Sequence, residues 1–157
     1  MIIRPMKLDQ ANSISQWKYD EPYDLYNPDD SDEGINELLN GDYYVALNGN
    51  EVVGYFCFGS SAQVPGAIME RLYKEDGVDI GLALRPDLTG KGLGKTFIIH
   101  GINFAFYTFQ SRKLRLSVAC FNKRAIKVYQ DAGFILASPF TNNNMKFIIM
   151  EKPLNEK

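Results

Sequence analysis

Between Leu84 and Phe97 the chain reads LRPDLTGKGLGKTF. Gly90, Gly92 and Gly94 stand at every second position, with Thr89 ahead of them, Lys91 and Leu93 between them and Lys95 behind. Backbone amides at a helix start have no intrahelical acceptor, and the helix dipole adds positive potential there. Glycine lets those amides approach an anion with no Cβ in the way. The loop therefore suits a phosphate. Glycines also serve a bare strand-to-helix turn, but the two lysines weigh against that use. Two phosphate loops fail on spacing. A Walker A loop ending at Gly94-Lys95-Thr96 needs glycine at position 89, which is Thr89. A G-x-G-x-x-G fingerprint needs glycine at 93 or 97, which are Leu93 and Phe97.

Three further groups have chemistry to offer. Asn122 and Tyr129 are seven residues apart, about two helical turns, so a helix puts them on one face with the small Ala125 between. On the residues alone they read as an N-cap and a core aromatic. In VDIGLAL, Asp79 projects opposite Ile80, Leu82 and Leu84. It is either a base beside a reacting group or a strand-end carboxylate. From Asp20 to Glu33 there are seven acidic residues and no basic one, interleaved with Tyr23 and Tyr26 and preceded by Trp17 and Tyr19. Such a segment either binds a cation by charge and ring faces or is a solvated lid over core aromatics.

The elements that must carry these groups follow from periodicity. IIRP is a short strand stopped by Pro5, and Leu8, Ala11 and Ile14 follow at helical spacing. A short helix around Ile35 and Leu38 ends near Gly41. DYYVALNGNEVVGYFCFG predicts a hairpin with a type I′ turn at Asn48-Gly49. Residues 61–77 show no clear pattern. VDIGLALRP is a strand, 91–109 a helix with Leu93, Phe97, Ile98, Ile102, Ala105 and Phe109 on one face, and KLRLSVAC a strand. Asn122 to Ala132 is a helix capped by Asn122 and closed by Gly133. FILAS and MKFIIME are two last strands. The order β-α-α-β-β-β-α-β-α-β-β predicts a mixed α/β sheet with helices on its faces, in a single domain over residues 1–157.

Composition bounds the partners. The 157 residues are 45% hydrophobic and 23% charged, an ordinary globular mixture. The net charge is −2, which gives no cause to expect nucleic acid. Setting aside the −7 between Asp20 and Glu33 leaves +5 on the rest, so the body is basic and one lobe acidic. No apolar run suits a membrane span and the N-terminus lacks signal-peptide organisation. Cys57 and Cys120 are expected as buried free thiols, His100 has no metal-ligating neighbours, and no metal site is expected. These features predict a cytoplasmic protein.

Two stretches together resemble a known family. TGKGLG is similar to the [QR]-x-x-G-x-[GA] loop of the GNAT N-acetyltransferase superfamily, with Thr89 where glutamine or arginine is usual. FNKRAIKVYQDAGF matches its second signature, N-x-x-A-x-x-x-Y-x-x-x-G-F. The order and spacing of the two, and the element order, resemble the family over nearly the whole chain. The resemblance implies a mostly antiparallel twisted sheet splayed between strands 4 and 5, and acetyl-CoA as cosubstrate. It implies that Thr89 to Lys95 hold the pyrophosphate, that the backbone of Leu82, Ala83 and Leu84 pairs with pantetheine, and that Asn122 contacts pantetheine or the substrate path. It gives Tyr129 the role of protonating the departing thiolate and Asp79 that of accepting the amine's proton, with Glu70, Glu75 and Asp76 as alternatives. It sets Trp17, Tyr23 and Tyr26 along the cleft for a small-molecule or peptide amine. Exposed edge strands near the C-terminus permit a homodimer. The rival expectations are a non-catalytic acyl-CoA-binding module of the same fold and a nucleotide-binding protein of another fold.

Overall fold

The computed structural model of the protein describes residues 1–73 and 76–154. Its elements are β1 (Ile2–Pro5), α1 (Leu8–Ile14), α2 (Asp32–Leu38), β2 (Tyr43–Asn48), β3 (Glu51–Phe58), α3 (Pro65–Met69), β4 (Val78–Leu84), α4 (Gly94–Phe109), β5 (Lys113–Ala119), α5 (Lys123–Asp131), β6 (Ile135–Asn142) and β7 (Met145–Pro153). Strand pairing follows the order β1-β2-β3-β4-β5-β7-β6. The pairs β1–β2, β2–β3, β5–β7 and β6–β7 are antiparallel, while β4–β5 is parallel. The element order matches the expected one except for α3, which falls in the stretch that carried no pattern. Five residues opened by Pro65 are too few to show a helical stripe.

The parallel ladder between β4 and β5 consists of Val78↔Leu114 and Asp79↔Arg115. β5 continues beside β7 as far as Ala119↔Phe147. Among the described residues the β4–β5 ladder ends at Asp79.

The contacts gather into two compact units, Met1–Cys57 with Leu82–Leu93, and Phe58–Gly81 with Gly94–Lys157. Neither is a continuous stretch of chain. In the first, Ala11, Ile14 and Leu38 form a core flanked by Met6, Trp17, Ile35, Tyr43, Val52 and Tyr55. In the second, Ala67, Phe140 and Ile149 form a core with Val64, Leu72, Tyr73 and Phe147 against it. Helix α4 buries Phe97, Ile98, Ile102 and Ala105 as its periodicity predicts, whereas Leu93 and Phe109 at the ends of that stripe are 43% and 38% exposed.

The turns exchange roles relative to the sequence reading. Asn48 pairs with Glu51, so the β2–β3 turn is Gly49-Asn50, and Gly49 has φ +63° while Asn50 has no positive φ. That is a type II′ pattern, in place of the expected I′ turn at Asn48-Gly49. The I′ pattern occurs instead between β6 and β7, where Asn143 and Asn144 have φ of 50° and 62°.

Candidate functional site

The glycine loop is built by two different uses of glycine. Arg85 opens it. Its amide donates to the Val53 carbonyl at 2.9 Å, and its guanidinium donates to Glu51 at 2.6 Å, to the Val52 carbonyl at 2.9 Å and to Asp87 at 2.6 and 3.1 Å. Those bonds hold Asp87 below the usual carboxylate range. Exposed ion pairs contribute little energy, but this set ties the loop's first turn to β3. The Thr89 hydroxyl donates to the Pro86 carbonyl at 2.7 Å and so closes that turn. Gly90 and Gly92 then take φ of 71° and 77°, which disfavours any other residue. Gly94 lacks a positive φ; a Cβ there would lie 3.3 Å from the methyls of Val128 on α5. Among the described residues, the amides of residues 90 to 95 donate to no backbone carbonyl in turns or loops. With exposed Lys91 and Lys95 beside them, they can receive an anion.

Asp79 is 4% exposed and Arg115 is 4% exposed. They are register partners across the last pair of the β4–β5 ladder. Arg115 Nε donates to Asp79 Oδ1 at 2.9 Å and Nη2 donates to Oδ2 at 3.1 Å. Gln63 Nε2 also donates to Oδ2, at 2.9 Å. The guanidinium carbon stands 5.5 Å from the centroid of the Tyr73 ring. The Tyr73 hydroxyl accepts from the Val64 amide at 3.0 Å and lies 3.1 Å from Ser117 Oγ. Asp79 is therefore neither solvated nor capping, and both its oxygens are engaged. Glu70 and Asp76 are exposed, and Glu75 lies outside the described residues.

Asn122 caps α5, its Oδ1 accepting from the Ala125 amide at 3.2 Å. Tyr129, half-buried, meets Phe134 edge-on at 6.1 Å between centroids. The Phe134 amide donates to the Tyr129 carbonyl at 3.0 Å, and Gly133 takes φ 102° to make that closure. Cap and closure thus fix the helix that carries Tyr129 at both ends.

The acidic aromatic segment belongs to the first unit. Trp17 sits 5.9 Å from Tyr55 and packs against the unit's core, so it supports the segment more than it lines its surface. Tyr23 and Tyr26 bound one 3₁₀ turn and are half-buried, while Asp20, Glu21 and Asp24 are exposed. The Tyr19 amide donates to Asn27 Oδ1 at 2.7 Å, which closes residues 19 to 27 into a loop. The Tyr19 hydroxyl donates to the Leu84 carbonyl at 2.6 Å.

Four contributors escape the sequence reading: Arg115, Gln63, Arg85 and the Tyr19 hydroxyl. Arg115 had one signal, a basic residue inside KLRLSVAC between flanking apolar positions. Strand alternation turns it to the face opposite Leu114 and Leu116, and that face is buried at Arg115 and Ala119 and half-buried at Lys113 and Ser117. Gln63 and the Tyr19 hydroxyl act through partners distant in sequence, and Arg85 through Glu51, Val52 and Val53 besides its near neighbour Asp87, so no local pattern reports them.

Among the described residues, no group of three His, Cys, Asp or Glu is placed to hold a metal, and no helix is long and apolar enough to cross a membrane. A model of the Acetyltransferase (GNAT) family matches residues 11–134. A spermidine N(1)-acetyltransferase of Vibrio cholerae is 23% identical over 129 residues, 81% of this chain and 68% of that protein. Among solved structures, a chimaera of the Vibrio cholerae spermidine N-acetyltransferase and hSSAT aligns with TM-score 0.72 and 18% identity over 98% of this chain and 96% of that one. The aminoglycoside acetyltransferase AAC(6')-Ib in complex with coenzyme A aligns with TM-score 0.75 and 20% identity over 96% and 93%. Both structural likenesses are likenesses of fold.

Proposed function

Because the chain belongs to the Acetyltransferase (GNAT) family, we propose that it moves an acetyl group from acetyl-CoA to a primary amine by direct attack. The observation that carries this reading is the loop from Thr89 to Lys95, with glycine-shaped backbone, two lysines and amides that, among the described residues, donate to no backbone carbonyl in turns or loops. Backbone amides and lysines fit a pyrophosphate; Thr89, bonded within its own turn, leaves that grip to them. Relatives named for spermidine and aminoglycoside acetylation support a small-molecule amine as acceptor. The acidic segment with Tyr23 and Tyr26 supplies charge and ring faces suited to an ammonium.

In the proposed reaction the neutral amine attacks the thioester carbonyl and a C–N bond forms. The backbone of Leu82, Ala83 and Leu84 is assigned to pantetheine, apart from the Leu84 carbonyl, which accepts from the Tyr19 hydroxyl, and one of its amides is assigned to the developing oxyanion. The intermediate collapses, the C–S bond breaks, and Tyr129 gives its proton to the thiolate. Asn122 holds the start of α5 and is assigned to the same path. An ammonium must lose a proton before attack, and we assign that proton to water. Asp79 accepts it only by giving up Arg115, which would leave a buried guanidinium without its counter-charge.

Acetyl-CoA at about a hundredfold over its Kd is expected to stabilise the protein by about 2.7 kcal/mol, raising Tm by roughly 5–10 °C for a chain of this size. ATP and NAD are expected to leave it in place. A panel of amines read by release of free thiol then tests transfer. A shift with ATP but not acetyl-CoA would overturn the reading. Binding of acetyl-CoA with no thiol release from any amine would leave a non-catalytic acyl-CoA-binding module.

Gly92→Ala tests the loop separately. Its Cβ would enter open space, so nothing clashes, but the φ of 77° is strained for alanine. The strain costs about 1–3 kcal/mol unless the loop shifts. The expected result is a raised Kd for acetyl-CoA with kcat at saturation little changed. An unaltered Kd would detach the loop from the cosubstrate.

A further inference from the structure

The contact between Tyr19 and Leu84 lies within one unit, and the direction of the bonded carbonyl gives it meaning. The Arg85 amide donates to Val53 of β3 at 2.9 Å. The Leu84–Arg85 peptide is not among the cis bonds, so it is trans, and the carbonyl of a trans peptide points opposite to its N–H. The Leu84 carbonyl therefore points away from β3, toward the side of β4 whose ladder with β5 ends at Asp79. Among the described residues Leu84 forms no strand pair on that side, the free edge of β4. The Tyr19 hydroxyl occupies this carbonyl at 2.6 Å. Burial, and then the Tyr55 phenol, push the Tyr19 pKa well above the usual tyrosine value, so the group stays a donor at neutral pH.

Tyr19 also begins the acidic loop. Its amide is bonded to the Asn27 side chain, and Asp20, Glu21, Tyr23, Asp24 and Tyr26 lie between those two anchors. Two residues earlier Trp17 is held against Tyr55. The loop is thus fixed at its base by packing and on β4 by one hydroxyl. We infer that Tyr19 is a positioning residue that sets the acceptor-binding loop against the free edge of β4. This rests on the proposed acetyl transfer, in which that edge holds the pantetheine and the loop holds the ammonium. Tyr19 touches neither reacting atom; it sets how far the cation is held from the strand that carries the thioester. Within the amine class already proposed, α,ω-diamines are the probes that report this distance, because their second ammonium can reach the exposed carboxylates of residues 20 to 24.

Tyr19→Phe keeps the ring and removes the bond. Steady-state kinetics with α,ω-diamines of increasing length, together with calorimetric titration of acetyl-CoA, test the inference. The wild-type enzyme is expected to favour one diamine length. The variant is expected to raise KM for that diamine by about tenfold, the worth of one hydrogen bond of ordinary strength. It is expected to flatten the length preference while kcat and the Kd for acetyl-CoA stay within about twofold by the same argument. Amide exchange across residues 20 to 26 is expected to quicken in the variant, a readout that needs no activity. An unchanged length profile, or an equal loss of acetyl-CoA affinity, overturns the inference while leaving acetyl transfer standing. A wild-type protein that acetylates no amine overturns both, and unchanged exchange overturns the latch itself.

Discussion

Replacing Tyr129 with Phe is expected to lower kcat for acetyl transfer by a factor of roughly 10² to 10⁴, the range for a positioned general acid, while the Kd for acetyl-CoA stays near its wild-type value. The asymmetry follows from what the substitution removes. Phenylalanine retains the ring and its edge-on contact with Phe134 at 6.1 Å. The helix keeps its Asn122 cap and its closure through Gly133 and Phe134, neither of which involves the phenol. What the proposed mechanism loses is a proton donor for the thiolate, needed only as the tetrahedral intermediate collapses. An interaction made only in the transition state lowers kcat and kcat/KM together and leaves binding alone. Thiol release under saturating amine gives the first quantity, and calorimetric titration of acetyl-CoA gives the second. Undiminished turnover would remove Tyr129 from proton transfer, and a loss confined to binding would make it a wall of the cosubstrate site.

The two stretches that advertised chemistry were legible because their geometry is local. A helix fixes the relation of Asn122 to Tyr129, and a cap and a C′ glycine fix the helix. A loop of alternate glycines before a helix opens its amides wherever the rest of the chain goes. Within that loop the sequence does not distinguish two kinds of glycine: Gly90 and Gly92 serve backbone conformation, whereas Gly94 serves close approach to Val128, thirty-four positions on. The hairpin turn shows the same limit on a smaller scale. Asn-Gly is a strong I′ signal, but the register that pairs Asn48 with Glu51 sets the turn one residue later, and Gly49 becomes its first central position. Registers are set by which faces must be buried across a sheet, and that information is spread over the partner strands. Trp17 is a further case. It was expected along the acceptor cleft, and its packing on Tyr55 was hidden because Tyr55 belongs to a strand beyond the whole acidic segment.

Arg115→Met is expected to destabilise the protein by about 3–5 kcal/mol, a fall in Tm of roughly 6–20 °C for a chain of this size. The pair it breaks is buried on both sides, with side chains 4% and 5% exposed. Removing the guanidinium leaves Asp79 with only the Gln63 amide as hydrogen-bond donor among the described residues, and a buried carboxylate without its counter-charge is far costlier than a lost contact. The double variant Asp79→Leu with Arg115→Met is expected to regain much of the loss. Taking both charges from a buried site also removes the cost of keeping them from water. Recovery should be incomplete, because Gln63 loses its acceptor and Tyr73 loses the cation 5.5 Å from its ring. Chemical denaturation of the two single variants and the double measures the coupling directly. The same set separates the two roles open to Asp79. As an ion-pair partner at the point where β4 leaves β5, it should yield stability changes that track Arg115, and Asp79→Asn should lower Tm along with activity. As the acceptor's base, it should yield an Asp79→Asn enzyme of nearly native stability whose turnover recovers as pH rises and the amine deprotonates unaided. Both oxygens bound to one guanidinium favour the first outcome. The expected place of Asp79 is then mechanical: with Arg115 it closes the last pair of the β4–β5 ladder.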